Sequence, residues 1–134
     1  METARLFLGR ELNKLETTIH QIQRGIESDP SANGRCAGMR AMLHTQQRHY
    51  RIVQRLTNEV DDVEQALAIC HQMLVIIGRD HTRLTEQGGV CNPKVADDWW
   101  ATLDDMQYLA KLSHRLMKVL TAEADEPRRV NGKG

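Results

Sequence analysis

In a chain of 134 residues, eighteen basic and eighteen acidic side chains cancel to a formal net charge of zero. That balance gives no bulk electrostatic reason to bind nucleic acid or an anionic membrane. Two Trp, two Tyr and one Phe, with no alternating run of Val, Ile, Thr and Tyr, leave little to build strands from, so the expected class is all-α. The length suits one domain with a buried core.

The first helix is expected from about residue 3 to 28, on the apolar seam Leu8, Leu12, Leu15, Ile19, Ile22, Ile26, which alternates steps of four and three. Asp29-Pro30 and Asn33-Gly34 then close a tight helical hairpin, because proline disfavours a helical residue before it and Asn-Gly favours a turn.

Residues 36 to 87 read as one long central helix. Met39, Met42, Gln46, His49, Val53, Leu56, Val60, Val63, Leu67, Cys70, Leu74 and Ile77 form an unbroken heptad seam, with no Gly or Pro between Met39 and Ile77. The simplest carrier of that seam is a continuous helix of about ten turns. Thr57-Asn58-Glu59-Val60-Asp61-Asp62 resembles an N-cap followed by an acidic first turn. The apolar phase does not slip there, so a continuous or bent helix ranks ahead of a break.

Gly88-Gly89 ends the long helix, and GGVCNPKV forms the second connection. A third helix is expected over 96–124, with Asp97 and Asp98 at its positive end. Its seam is Trp99, Leu103, Met106, Ala110, Ser113, Met117 and Leu120, widened by Leu109, Leu112, Leu116 and Val119. Residues 125–134 read as a disordered tail, leaving a single helical domain over 1–124.

Short connections fold both outer helices back along the central one. In this register Glu16 faces Arg48, Glu11 faces Arg51 or Arg55, and Arg5 faces Glu59, while the second hairpin brings Asp98 near Arg83, Arg115 near Glu64 and Lys118 near Asp62. A straight central helix would leave two helices in every cross-section, too few to enclose a core. The expected remedy is an antiparallel homodimer built of four-helix-bundle sections, its twofold axis near residues 57–60. The alternative is a monomeric four-helix bundle with a break near Asn58.

Arg40, His44, Arg48, Arg51 and Arg55 share one helical face, and no acid lies between Pro30 and Asn58. That stripe could bind an acidic protein or phosphates; neutralisation by Glu11, Glu16 and the acids at 59–64 is the competing explanation. Trp100 is a candidate anchor beside the seam residue Trp99. His20 and His44 face each other in the first hairpin, but no ExxH or HExxH spacing accompanies them, so no metal is expected. Gln46 and His49, inside the seam, suit buried polar groups that fix register. Cys36, Cys70 and Cys91 match neither a disulfide framework nor a zinc signature, which suits reduced thiols in the cytoplasm. Cys70 and His71 point about 100° apart on a helix, a poor thiolate-base pair. The charged N-terminus and the short, interrupted apolar run Ala66 to Gly78 give no membrane span.

No nucleotide-binding glycine motif or nucleophile elbow occurs, and no cofactor is implied. The expected function is that of a non-enzymatic protein–protein interaction module: an adaptor, assembly factor or inhibitor. The alternative is a nucleic-acid-binding regulator using the Arg40–Arg55 face. The seam residues Val53, Leu56, Val60, Val63, Leu67, Leu74 and Ile77 are expected to form the core or the dimer contact.

Overall fold

The structure, a computed structural model, describes residues 4–28 and 33–133, with side chains except at 33–36 and 123–133. It is all-helical among those residues: α1 (Ala4–Ser28), α2 (Asn33–Glu59), α3 (Val63–Glu86) and α4 (Ala96–Lys133), with one 3-10 turn at Gly89–Cys91. No helix of the described residues is long and apolar enough to cross a membrane. The expected turn at Asp29-Pro30 lies outside the described residues, while Asn33 and Gly34 already belong to α2.

The single long helix is not formed. The chain leaves helical geometry at Val60–Asp62, so there are four helices rather than three. Asp62 makes the break: its backbone is extended (φ −139°, ψ 170°) and its side chain accepts from the Gln65 amide at 2.8 Å. Gln65 Oε1 in turn accepts from the Asp61 amide at 2.8 Å. These reciprocal bonds satisfy donors that a helix start leaves unpaired. The apolar phase survives because Leu56, Val60 and Val63, on either side of the turn, are all buried in the same core. A heptad count cannot distinguish a seam running straight through from one whose residues point inward around a reversal.

The chain turns back on itself at this point. Arg51, Ile52 and Arg55 of α2 line one groove with Met73, Ile76 and Ile77 of α3, whereas in a straight helix Ile52 and Ile76 would stand about 36 Å apart. α1 packs along α2 and α3 along α4. The two hairpins then meet, α2 against α4 through Arg48 and Asp105 and α1 against α4 through Glu11 and Arg115. This is the four-helix arrangement that ranked second, with its break at Val60–Asp62.

Leu8, Val53, Leu56, Val63, Cys70, Leu109, Leu112 and Leu116, drawn from all four helices, are fully or almost fully buried together. Each buried leucine stabilises the fold by about 2 kcal/mol. The core is therefore enclosed by one chain, and the second copy that a straight rod requires is not needed to cover it. Of the expected seam, Val53, Leu56, Val60 and Val63 are buried, and Leu67, Leu74 and Ile77 pack half-buried against them.

In α4 the inward face is centred on Leu109, Leu112 and Leu116, while Ala110 and Met117, expected on the seam, are exposed. The helix also carries on past Ala124 to Lys133 instead of giving way to a tail at 125. This stretch includes Pro127, a residue that opposes a helix interior, and its sequence does not account for the extension. The link between α3 and α4 uses its glycines as expected: Gly88 (φ 109°) and Gly89 (φ 55°) both adopt left-handed backbone. Gly89 also lies against the Trp99 indole, which donates to Thr85 Oγ1 at 2.8 Å.

Candidate interaction surface and its polar brace

Residues 104, 108 and 115 fall on one stripe of α4 by helical spacing, and there Asp104, Tyr108 and Arg115 meet polar side chains of α2 and α1. Arg48 donates from Nε to Asp105 Oδ1 (3.0 Å) and from Nη2 to Asp104 Oδ2 (3.3 Å). His49, only 8% exposed, donates from Nε2 to the same Asp104 oxygen at 2.7 Å. Its ring stacks on Tyr108 with centroids 3.9 Å apart and planes 7° from parallel. The Tyr108 hydroxyl donates to Glu11 Oε1 (2.9 Å), and Arg115 Nη2 donates to Glu11 Oε2 (2.7 Å) while lying over the Phe7 ring.

Burial pushes the Glu11 carboxyl up, but hydrogen bonds from Arg115 and Tyr108 and the Arg115 charge together outweigh it, so its pKa is held below the ordinary value. The reciprocal effect raises Arg115, first through its hydrogen bond to Glu11 and against the cost of burial. Burial, then the Glu11 charge, raises Tyr108, which remains a neutral donor. A carboxylate buried with its hydrogen bonds satisfied is a brace between helices, and every member of this one is engaged.

One part of the brace has the composition of a metal site. Ligand-capable atoms of His49, Asp104 and Asp105 lie within 4.8 Å of one another. The Arg48 guanidinium already bridges both carboxylates there. The position that a cation would neutralise is filled by a side-chain cation, so the residues present suit an ion-paired brace better than a metal. His20 and His44 are both exposed and belong to no such cluster among the described residues. Cys70 is buried and its pKa is raised by burial, with a hydrogen bond from Ser113 opposing in part; it is a packed thiol rather than a thiolate.

The basic stripe is divided by the fold. Arg48 is tied to Asp104 and Asp105, and Arg55 to Glu59 at 3.4 Å, while Arg40 and Arg51 are exposed. Of the expected cross-hairpin pairs, Arg5 pairs with Asp61 (2.6 Å) rather than Glu59, Arg83 with Asp80 rather than Asp98, and Glu11 with Arg115 rather than Arg51 or Arg55. Trp100 is 54% exposed and packs edge-on against Trp99. It borders a cleft between α2 and α4 with His44, Arg48, Asp97 and Asp104.

A groove with a mostly apolar lining lies between α2 and α3. Ile52, Met73 and Ile77 lie in it, Ile76 stands at its lip 55% exposed, and the neighbouring Val75 is 41% exposed. Its volume is about 220 Å³. The seam reading assigns Ile77 to the core and passes over Ile76, because an unbroken helix gives no reason for α2 and α3 to face one another. The run Ala66 to Gly78, apolar except for His71 and Gln72, is the signal in the sequence that more than one side of this helix meets a neighbour. Comparison of the chain with protein-family models, with curated proteins and with solved structures finds no match.

Proposed function

We propose that the protein works by binding another protein, as a non-enzymatic adaptor, assembly factor or inhibitor, and that α3 with the adjoining face of α2 is the binding surface. The observation that carries this reading is the 55% exposure of Ile76 at the lip of the α2–α3 groove. A large apolar side chain left exposed at the lip of an apolar groove marks an interaction site. The brace fits the same reading, since it spends its histidine, acids and arginines on each other and leaves a rigid support rather than a reactive centre. Polyanion binding through Arg40 to Arg55 is the weaker alternative, because Arg48, in the middle of that stripe, is committed to Asp104 and Asp105.

The test is site-specific photocrosslinking in the source cells, with the crosslinker at Gln72 on the exposed side of α3 and, separately, at Asn13 on α1. A discrete protein adduct from Gln72 that disappears on Ile76→Asp supports the reading. Adducts from Asn13 only, or none from Gln72, refute it. An adduct between two copies of the chain would instead identify the surface as a homodimer contact.

A further inference from the structure

We infer that the α2–α3 groove receives an amphipathic helix of a partner protein whose apolar side chains are flanked by carboxylates. This rests on the docking reading above and gives it a ligand chemistry. The apolar residues Ile52, Met73, Ile76 and Ile77 come from two antiparallel helices, an arrangement that accepts the apolar ridge of a third helix laid along it. Arg51 and Arg55 stand one turn apart on the α2 wall. Arg79, exposed, follows Ile76 by one turn on α3 and lines a separate depression with Val75 and Glu86.

Little on the chain neutralises this rim. Glu59 reaches Arg55 at a long 3.4 Å, and Asp80 is taken by Arg83 at 3.0 Å. Neither Arg51 nor Arg79 has a carboxylate partner among the described residues. A basic helix would be repelled at the α2 wall, and a neutral one would leave its cations unanswered. Carboxylates three or four residues apart on a docked helix match the spacing of Arg51 and Arg55. A nucleic-acid backbone would answer the arginines but leave the isoleucines exposed to water, so a protein helix uses more of what the groove offers.

The probes are two synthetic helices of about 18 residues, roughly five turns, with the same leucine pattern and either Glu or Lys along its edges. Each is titrated against the full chain by fluorescence anisotropy. The Glu peptide should bind more tightly than the Lys peptide by about tenfold or more, weakening as salt rises. Ile76→Asp should abolish binding, and Arg51→Glu with Arg55→Glu should reverse the preference while the helical circular dichroism stays unchanged. Equal affinity for the two peptides, no binding of the Glu peptide, or a preference unmoved by the double charge reversal would overturn the inference. Single-stranded polynucleotide binding the chain more tightly than the Glu peptide, with an affinity unchanged by Ile76→Asp, would also overturn it. If the Gln72 adduct persists while the charge preference is absent, the docking reading stands and only the partner's chemistry falls.

Discussion

At Glu11, burial and hydrogen bonding act in opposite directions, and the net depression of its pKa means that the charged form is the one the fold stabilises. The sign follows from linkage: the stabilisation is fully present above the ordinary value of 4.5 and is lost as pH falls through the lower, folded-state value. A Glu11→Gln chain should therefore show a flatter decline of Tm with acidification below about pH 4.5 than the parent. A parallel decline in the two proteins would mean that Glu11 contributes nothing to acid sensitivity. Removing the other partner is costlier, because it strands a buried carboxylate. Arg115→Met should destabilise the fold by about 2–3 kcal/mol in urea, below the value for a fully buried pair because Arg115 is partly solvated. Arg48 invites a different experiment. With Arg48→Met, Asp104 and Asp105 lose their guanidinium, and divalent manganese or zinc should raise the variant's Tm by several degrees while barely moving the parent's. An equal rise in both would show that a metal competes with Arg48 in the native protein.

Among the elements, the junction of α2 and α3 is where sequence and structure part. The acids at 59–62 were visible as a helix start, but the residues that form it are Asp62 and Gln65, three apart, and not Thr57. The continuous seam outweighed them because periodicity reports which residues face a core and not whether the chain reverses between them. Asp61→Ala with Asp62→Ala removes the cap, worth about 1 kcal/mol, and fills the link with helix formers. The variant should populate a species in which α2 and α3 fuse and two chains exchange hairpins, seen as a dimer peak by light scattering. A purely monomeric, slightly less stable variant would mean that the cap is not what holds the turn. α1 was more legible, since Leu8, Leu15 and Ile22 of its expected stripe are buried. So was the Gly88-Gly89 stop. In α4 the inward stripe was misplaced toward Met117, because an apolar band wide enough for two neighbours gives no phase of its own. The partners of Glu11 and Arg48 were out of reach for another reason. Glu11 and Arg115 lie 104 residues apart, and such pairs depend on which hairpin face meets which.

For the whole molecule, four helices close a core within one chain, and the α2–α3 groove opens at its surface with Arg51 and Arg55 on the α2 wall. The two roles are separable if the account holds. Ile76→Asp should change stability by no more than about 0.5 kcal/mol, as a surface substitution does, while removing partner binding; a collapse in Tm would show that Ile76 belongs to the core. Everything about the groove follows from the direction of α3 relative to α2. Spin labels at His44 and Glu86, in a chain with Cys36 and Cys91 replaced by Ser, measure that direction by pulsed dipolar spectroscopy. Both positions are exposed, and the fold brings them to the same end of the bundle, since His44 shares a cleft with Trp100 and Trp99 bonds to Thr85 beside Glu86. The account predicts an intramolecular distance of about 20–30 Å, two or three helix diameters. A distance of about 63 Å, the length of an uninterrupted helix between those residues, would contradict it.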